Sequence, residues 1–206
     1  MTTPFPLGGE FDVTAGDPPV PLATWRTPRD PGASPGAVPA ALAARLCAAY
    51  SRAGDLVIDA IGEPSVAAAA GAYGRRHRRV PLAALAHTLP GEQPLAALLL
   101  LRWPPASGPA TSLTVDLVLA GARRLLRRGG CLAVLADPPT GGGPADLAAI
   151  VEAAGQVGLR YLQHVIAIDA DIVGDQLHTN TELVPPARHA RAHRDVLVFI
   201  RPGDQL

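Results

Sequence analysis

Apolar residues along the chain fall into short blocks separated by glycine, proline and charge. Ala40 to Tyr50 repeats alanine and leucine behind a leading proline and predicts a helix. Leu56-Val57-Ile58, between Asp55 and Asp59 and after a Gly54 turn, has the length of a strand buried on both faces. Pro64 to Tyr73 predicts a second helix, with Pro64 suited to its first turn and Gly74 to its stop. Arg79 to Leu82 predicts a second short strand, and Ala83 to Thr88 one or two helical turns. Leu95 to Leu101 is the most apolar run and ends at Trp103-Pro104-Pro105. An amphipathic helix follows over Val115 to Arg128, closed by Gly129-Gly130, and then a buried strand over Cys131 to Ala136. Ala145 to Val157 predicts a helix, Tyr161 to Ile168 a strand, and Asp195 to Ile200 a closing strand. Strand and helix alternate from Asp55 to Ile168, which calls for a parallel sheet covered by helices. The closing strand follows its predecessor without an obvious helix and is exempt from that rule.

The pattern is different at the start. Nine of the 22 prolines lie in the first 39 residues, with Gly8, Gly9, Gly16, Gly32 and Gly36 among them. Such a segment cannot form a continuous helix or a central strand. We expect an extended arm over residues 1–36, either wrapped over the body or disordered, and an α/β domain over residues 37–206, with Trp25 and Phe11 able to pin the arm down.

Composition narrows the chemistry. All 18 basic residues are arginine, balanced by 18 acidic ones. Without lysine there is no Walker-type phosphate lysine, no Schiff-base lysine and no lysine general base. Zero net charge argues against a whole-surface nucleic-acid sleeve, leaving only local arginine clusters. A length of 206 residues suits one domain. No run approaches the ~20 apolar residues of a membrane span, and the first residues lack a signal-peptide pattern, so the expected compartment is cytoplasm. Cys47 and Cys131 sit in apolar runs far apart and read as buried thiols.

Several stretches together carry a family resemblance. Val38-Pro39-Ala40-Ala41-Leu42 through Ala53-Gly54-Asp55-Leu56-Val57-Ile58-Asp59, and on to Gly74-Arg75, resembles the first half of bacterial DNA amino-methyltransferases. Those enzymes share a run of proline, helix, Pro-Gly-Asp-Leu-Val-Leu-Asp-Pro-Phe-x-Gly-x-Gly-Thr-Thr, helix, Gly-Arg. Leu125-Leu126-Arg127-Arg128-Gly129-Gly130 is similar to their turn before a strand, and Ala192-His193-Arg194-Asp195-Val196-Leu197-Val198-Phe199 to their closing strand. The resemblance implies a class I methyltransferase-like (Rossmann-like), mostly parallel sheet, with S-adenosylmethionine as cofactor and cytosine N4 or adenine N6 as target.

The chemical positions depart from that family. Its cofactor loop needs Gly-x-Gly, because only glycine lets the backbone come close. Here the run is Asp59-Ala60-Ile61-Gly62-Glu63-Pro64-Ser65, so Asp59, Gly62, Glu63 and Ser65 are the candidate cofactor residues. Pro64 stands at the second glycine, and Glu63 adds a negative charge. The family's ribose-binding acid should end the second strand, where Arg78-Arg79-Val80-Pro81 stands instead. Only about forty residues separate Asp59 from the leucine run, so one strand-helix unit is expected to be missing. The family's catalytic Asp, Asn or Ser, then Pro-Pro and an aromatic, is replaced by Trp103-Pro104-Pro105-Ala106. Tryptophan cannot accept a hydrogen bond and alanine cannot stack on a flipped base. Asp137, in Asp137-Pro138-Pro139, is an alternative catalytic acid one strand further along.

Arg75, Arg76, Arg78 and Arg79 are candidate nucleic-acid contacts, or simply a solvated face. His189 and His193 have metal-ligand spacing but no third ligand, and no metal is expected. The reading is a catalytically lapsed methyltransferase-fold protein that binds no cofactor and acts through binding. The expected partner is an active methyltransferase or a second copy of itself, and no membrane. The alternatives are an active S-adenosylmethionine-dependent nucleic-acid methyltransferase with a rebuilt site, and a nucleic-acid-binding module.

Overall fold

A computed structural model of the chain describes residues 13–14, 20–34, 36–87, 95–104, 114–136, 146–173, 176–178 and 193–203. Its strands are β1 (Val13–Thr14), β2 (Val20–Arg26), β3 (Leu56–Asp59), β4 (Arg76–Arg79), β5 (Ala96–Trp103), β6 (Leu126–Ala136), β7 (Arg160–Ile168), β8 (Asp171–Val173), β9 (Gln176–His178) and β10 (His193–Ile200). Its helices are α1 (Ala40–Tyr50), α2 (Pro64–Ala72), α3 (Leu82–Ala86), α4 (Val115–Leu125) and α5 (Leu147–Gln156). Eight strands form one sheet in the order β1-β2-β7-β10-β6-β5-β3-β4, while β8 and β9 pair separately. Strands β4, β3, β5 and β6 are mutually parallel, and β10 is antiparallel to both β6 and β7. The α/β sheet expected from the alternating pattern is therefore present. An antiparallel return needs no crossover helix, which is why β10 escapes the alternation.

Burial follows the two-residue period of a strand. Leu99 and Leu101 of β5 join a core with Leu85 of α3, Val118 and Leu119 of α4 and Ile150 of α5. Leu98 and Leu100 point the other way, to Leu42 and Leu46 of α1 and Val66 of α2. Both faces of the central strands are thus covered, as continuous apolar runs require. Cys47 and Cys131 are free and buried on the α1 side, and burial pushes both thiols up from their ordinary value.

Two boundaries differ from the periodicity. The predicted helix to Arg128 stops at Leu125, because Arg201 draws the next residues into the sheet. Arg201 Nη1 donates to the carbonyls of Arg123 (3.1 Å) and Leu126 (2.6 Å), and its main chain pairs with Gly129 and Gly130. Gly129 takes a positive φ of 71°, and a Cβ on Gly130 would stand 2.7 Å from the Ala96 carbonyl. The second strand is Arg76–Arg79, not Arg79–Leu82. Val80 gives its N–H to Asp59 at 2.9 Å, and Pro81, with no N–H to give, precedes α3. Hydrophobic period misses β4 because all four of its residues are exposed. Among the described residues no strand lies outside β4, in keeping with a shortened sheet on this side.

The arm contributes to the sheet. β2 runs parallel to β7, and β1 caps it with Val13 opposite Pro21. Pro21 is tolerated because this is the margin of the sheet. Trp25 pins the strand by stacking on Tyr50, centroids 6.3 Å apart, and the Tyr50 hydroxyl donates to Gln163 Oε1 at 2.6 Å. Phe11, the other expected anchor, lies outside the described residues.

Two predictions follow from this packing. A Cβ on Gly121 of α4 would fall on the Leu85 backbone carbonyl of α3. Gly121→Ala should cost about 2 kcal/mol in urea unfolding, overpacking exceeding the helix-propensity gain of about 1 kcal/mol. Burial, with a smaller push from Cys131, raises the Tyr50 hydroxyl to about 12, and burial with Asp195 raises Tyr161 likewise to about 12. The neutral forms are favoured in the fold, so their contribution is complete below the ordinary value of 10.0 and is lost as pH rises toward 12. Urea midpoints should fall across that window, and Tyr50→Phe should flatten the slope.

Candidate functional site

The parallel strands end together on one edge, and β2, parallel to β7, delivers its following loop to the same edge. Thr27 closes β2 with its N–H on the Ile168 carbonyl at 2.8 Å, and Asp30 Oδ2 accepts the N–H of Ala40 at 2.8 Å, capping α1. The loop between is held from below by two arginines. Arg102 Nη2, at the end of β5, donates to the Gly36 carbonyl at 2.7 Å. Arg194, at the start of β10 and only 5% exposed, donates to Gly36 at 3.1 Å and Ala37 at 3.3 Å. Arg29 adds an ion pair to buried Asp169 at 3.1 Å.

An open cleft of about 540 Å3 lies between this loop, the start of α2 and Arg102. The chain leaves β3 for β4 through α2 on one face and returns to β5 through α3 on the other. The cleft therefore sits where the strand order reverses, the usual ligand position in such sheets. Its polar groups are Asp30, Ser34, Glu63, Ser65 and Arg102.

The expected cofactor residues gather beside it. Asp59 is 1% exposed, and its Oδ1 accepts the N–H groups of Ile61 (2.9 Å) and Gly62 (2.8 Å) while Oδ2 meets His77 Nε2 at 3.4 Å. That carboxylate shapes the loop. Gly62 has a φ of 81°, and Arg79 lies across it, with Cζ 2.8 Å from where a Cβ would stand. Glu63 Oε1 is 3.4 Å from Arg102 Nη2, and the Ser65 hydroxyl donates to the Val38 carbonyl at 2.8 Å. Pro64 occupies the first turn of α2.

The four arginines of the basic stretch divide into two kinds. Arg75 gives Nε to Ser51 Oγ (3.1 Å), Nη2 to the Ser51 carbonyl (2.7 Å) and Nη1 to the Tyr73 carbonyl, and sits over the Tyr73 ring. Arg76 Nε donates to Gly54 at 3.1 Å. Arg78 and Arg79 are exposed. Trp103 is half-buried against the α3–α5 core, followed by Pro104 across a cis peptide. Pro105, Ala106, Asp137 and His189 lie outside the described residues. Among the described residues no three His, Cys, Asp or Glu side chains gather to hold a metal, and no helix is long and apolar enough to cross a membrane. Sequence reasoning passed over His77, Arg102 and Arg194 as site-builders. The only signal was arginine at the ends of otherwise apolar strands.

Comparison with solved structures settles the architecture. The chain is similar to geranyl diphosphate methyltransferase in complex with S-adenosylmethionine, at a TM-score of 0.51 and 14% identity over 79% of this chain and 85% of that one. The fold is that of a class I methyltransferase. A second similar structure is geranyl diphosphate C-methyltransferase from Streptomyces coelicolor A3(2), bound to Mg2+, geranyl diphosphate and S-adenosyl-L-homocysteine. It scores 0.50 at 12% identity, over 79% of this chain and 77% of that one. No family model matches the sequence, and no curated protein matches it.

The arginine clamp on the Gly36 loop predicts a local effect. Arg194→Met keeps the apolar stem but removes two hydrogen bonds to carbonyls, at about 1–3 kcal/mol. Limited proteolysis should then cut within residues 29–38 faster than in the parent chain.

Proposed function

We propose that this chain is a lapsed relative of DNA amino-methyltransferases that has kept their fold, has given up methyl transfer and works through binding. The observation that carries the reading is Arg79 lying across Gly62. A methyltransferase-fold cofactor needs the backbone open at that glycine and an acceptor for ribose hydroxyls at the end of the second strand. Arg79 takes up the first space with its guanidinium, and at the second position it can only donate. Around it, Pro64 withholds an N–H from the start of α2, and the Glu63 carboxylate faces the cleft where the cofactor's own carboxylate would need donors. The residues present do not fit S-adenosylmethionine.

The catalytic position supports the same reading. Trp103 ends β5 with a donor-only indole packed on the core, so it offers no acceptor for an exocyclic amine. The lineage rests on the ordered matches from Val38 to Phe199, and the partner is an active methyltransferase or a second copy of this chain. Direct nucleic-acid binding is less well supported, because Arg75 and Arg76 are spent on the fold.

Isothermal titration of the full chain with S-adenosylmethionine and S-adenosylhomocysteine tests the reading. The expected outcome is no saturable heat at millimolar ligand. Tight, stoichiometric binding of either would overturn it.

A further inference from the structure

Arg79 ends β4, is exposed, and its side chain makes no hydrogen bond or ion pair among the described residues. The carboxylates around it are engaged elsewhere. Asp59 holds the Ile61 and Gly62 amides and His77, Glu63 meets Arg102, and Asp55 takes the Arg52 amide and Arg127. Yet Arg79 is not splayed into solvent. Its register partner on β3 is Asp59 itself, and its guanidinium lies over the Gly62 loop at the ligand edge of the sheet.

That placement has a chemical meaning in doubly wound sheets. The residue ending the second strand, about twenty positions after the loop-bearing strand, meets the ribose of a bound nucleotide. A carboxylate there accepts from free ribose hydroxyls, whereas an arginine receives a ribose phosphate through paired N–H donors.

We propose that the strand-end edge beside Gly62 binds a nucleotide carrying a phosphate on its ribose 2′ or 3′ oxygen, with Arg79 as the phosphate receptor. The proposal rests on the reading that this edge has given up S-adenosylmethionine. A nucleic-acid duplex fits less well. It needs several phosphate contacts at once, and of the neighbouring arginines Arg75 and Arg76 are held by backbone carbonyls and Ser51.

The test titrates the full chain with adenosine and with adenosine 5′-, 2′- and 3′-monophosphate. The 2′- or 3′-phosphate should bind measurably tighter than the 5′-phosphate, with adenosine silent. Arg79→Glu should weaken that binding about tenfold to a hundredfold. Arg79→Gln should weaken it less, and Arg45→Glu, on the exposed side of α1, should leave it unchanged. Thermal melts of each variant establish that the fold is intact. Equal response to all four compounds, binding unmoved by Arg79→Glu, or binding to a duplex oligonucleotide alone would each overturn the proposal. S-adenosylmethionine titrated in parallel separates the two readings. Its binding defeats the lapsed-cofactor reading, whereas silence from it and from every nucleotide defeats only this one.

Discussion

Leu98, Leu99, Leu100 and Leu101 are all inaccessible to water, two against each helix layer. Each fully buried leucine contributes on the order of 2 kcal/mol, and the four are possible only because helices cover both faces of β5. That double burial leaves only apolar side chains on β5 from Ala96 to Leu101. Charged side chains gather instead at the ends of the strands, where Asp59, Arg79, Arg102 and Arg194 emerge.

At that edge the chain relies on arginine. Arg102 and Arg194 share one carbonyl, that of Gly36, and so fasten the Pro-rich segment over the ends of β5 and β10. Guanidinium suits this work because it spreads several donors in a plane and stays charged when buried. With no lysine in the chain, every structural cation has this fork geometry. The same property makes Arg79 a poor neighbour for a ribose diol and a good one for phosphate.

The fold was largely legible from the chain. Ala40–Tyr50 was bounded at both ends by Pro39 and the polar turn that follows, and the leucine run fitted the alternation of strand and helix. Where the reading slipped, the deciding contact was remote. Arg201 ends α4 early by taking carbonyls some 75 residues away, and β4 is held by β3 and not by any apolar face of its own. At the candidate site the sequence reads as a set of departures from the family it resembles. Pro64, Glu63, Arg79 and Trp103 could each be seen to stand where the family has something else.

What the sequence alone determined is the layered α/β sheet, because it depends on residue type at local spacing. Hydrophobic period needs no neighbour to be read. The tertiary structure decided where the arginines go. It set β2 beside β7, brought Arg102 and Arg194 to one carbonyl, and laid Arg79 over Gly62. Those are contacts between side chains far apart in sequence, and a charged side chain's partner is fixed by the fold's geometry and not by its own neighbourhood in the chain.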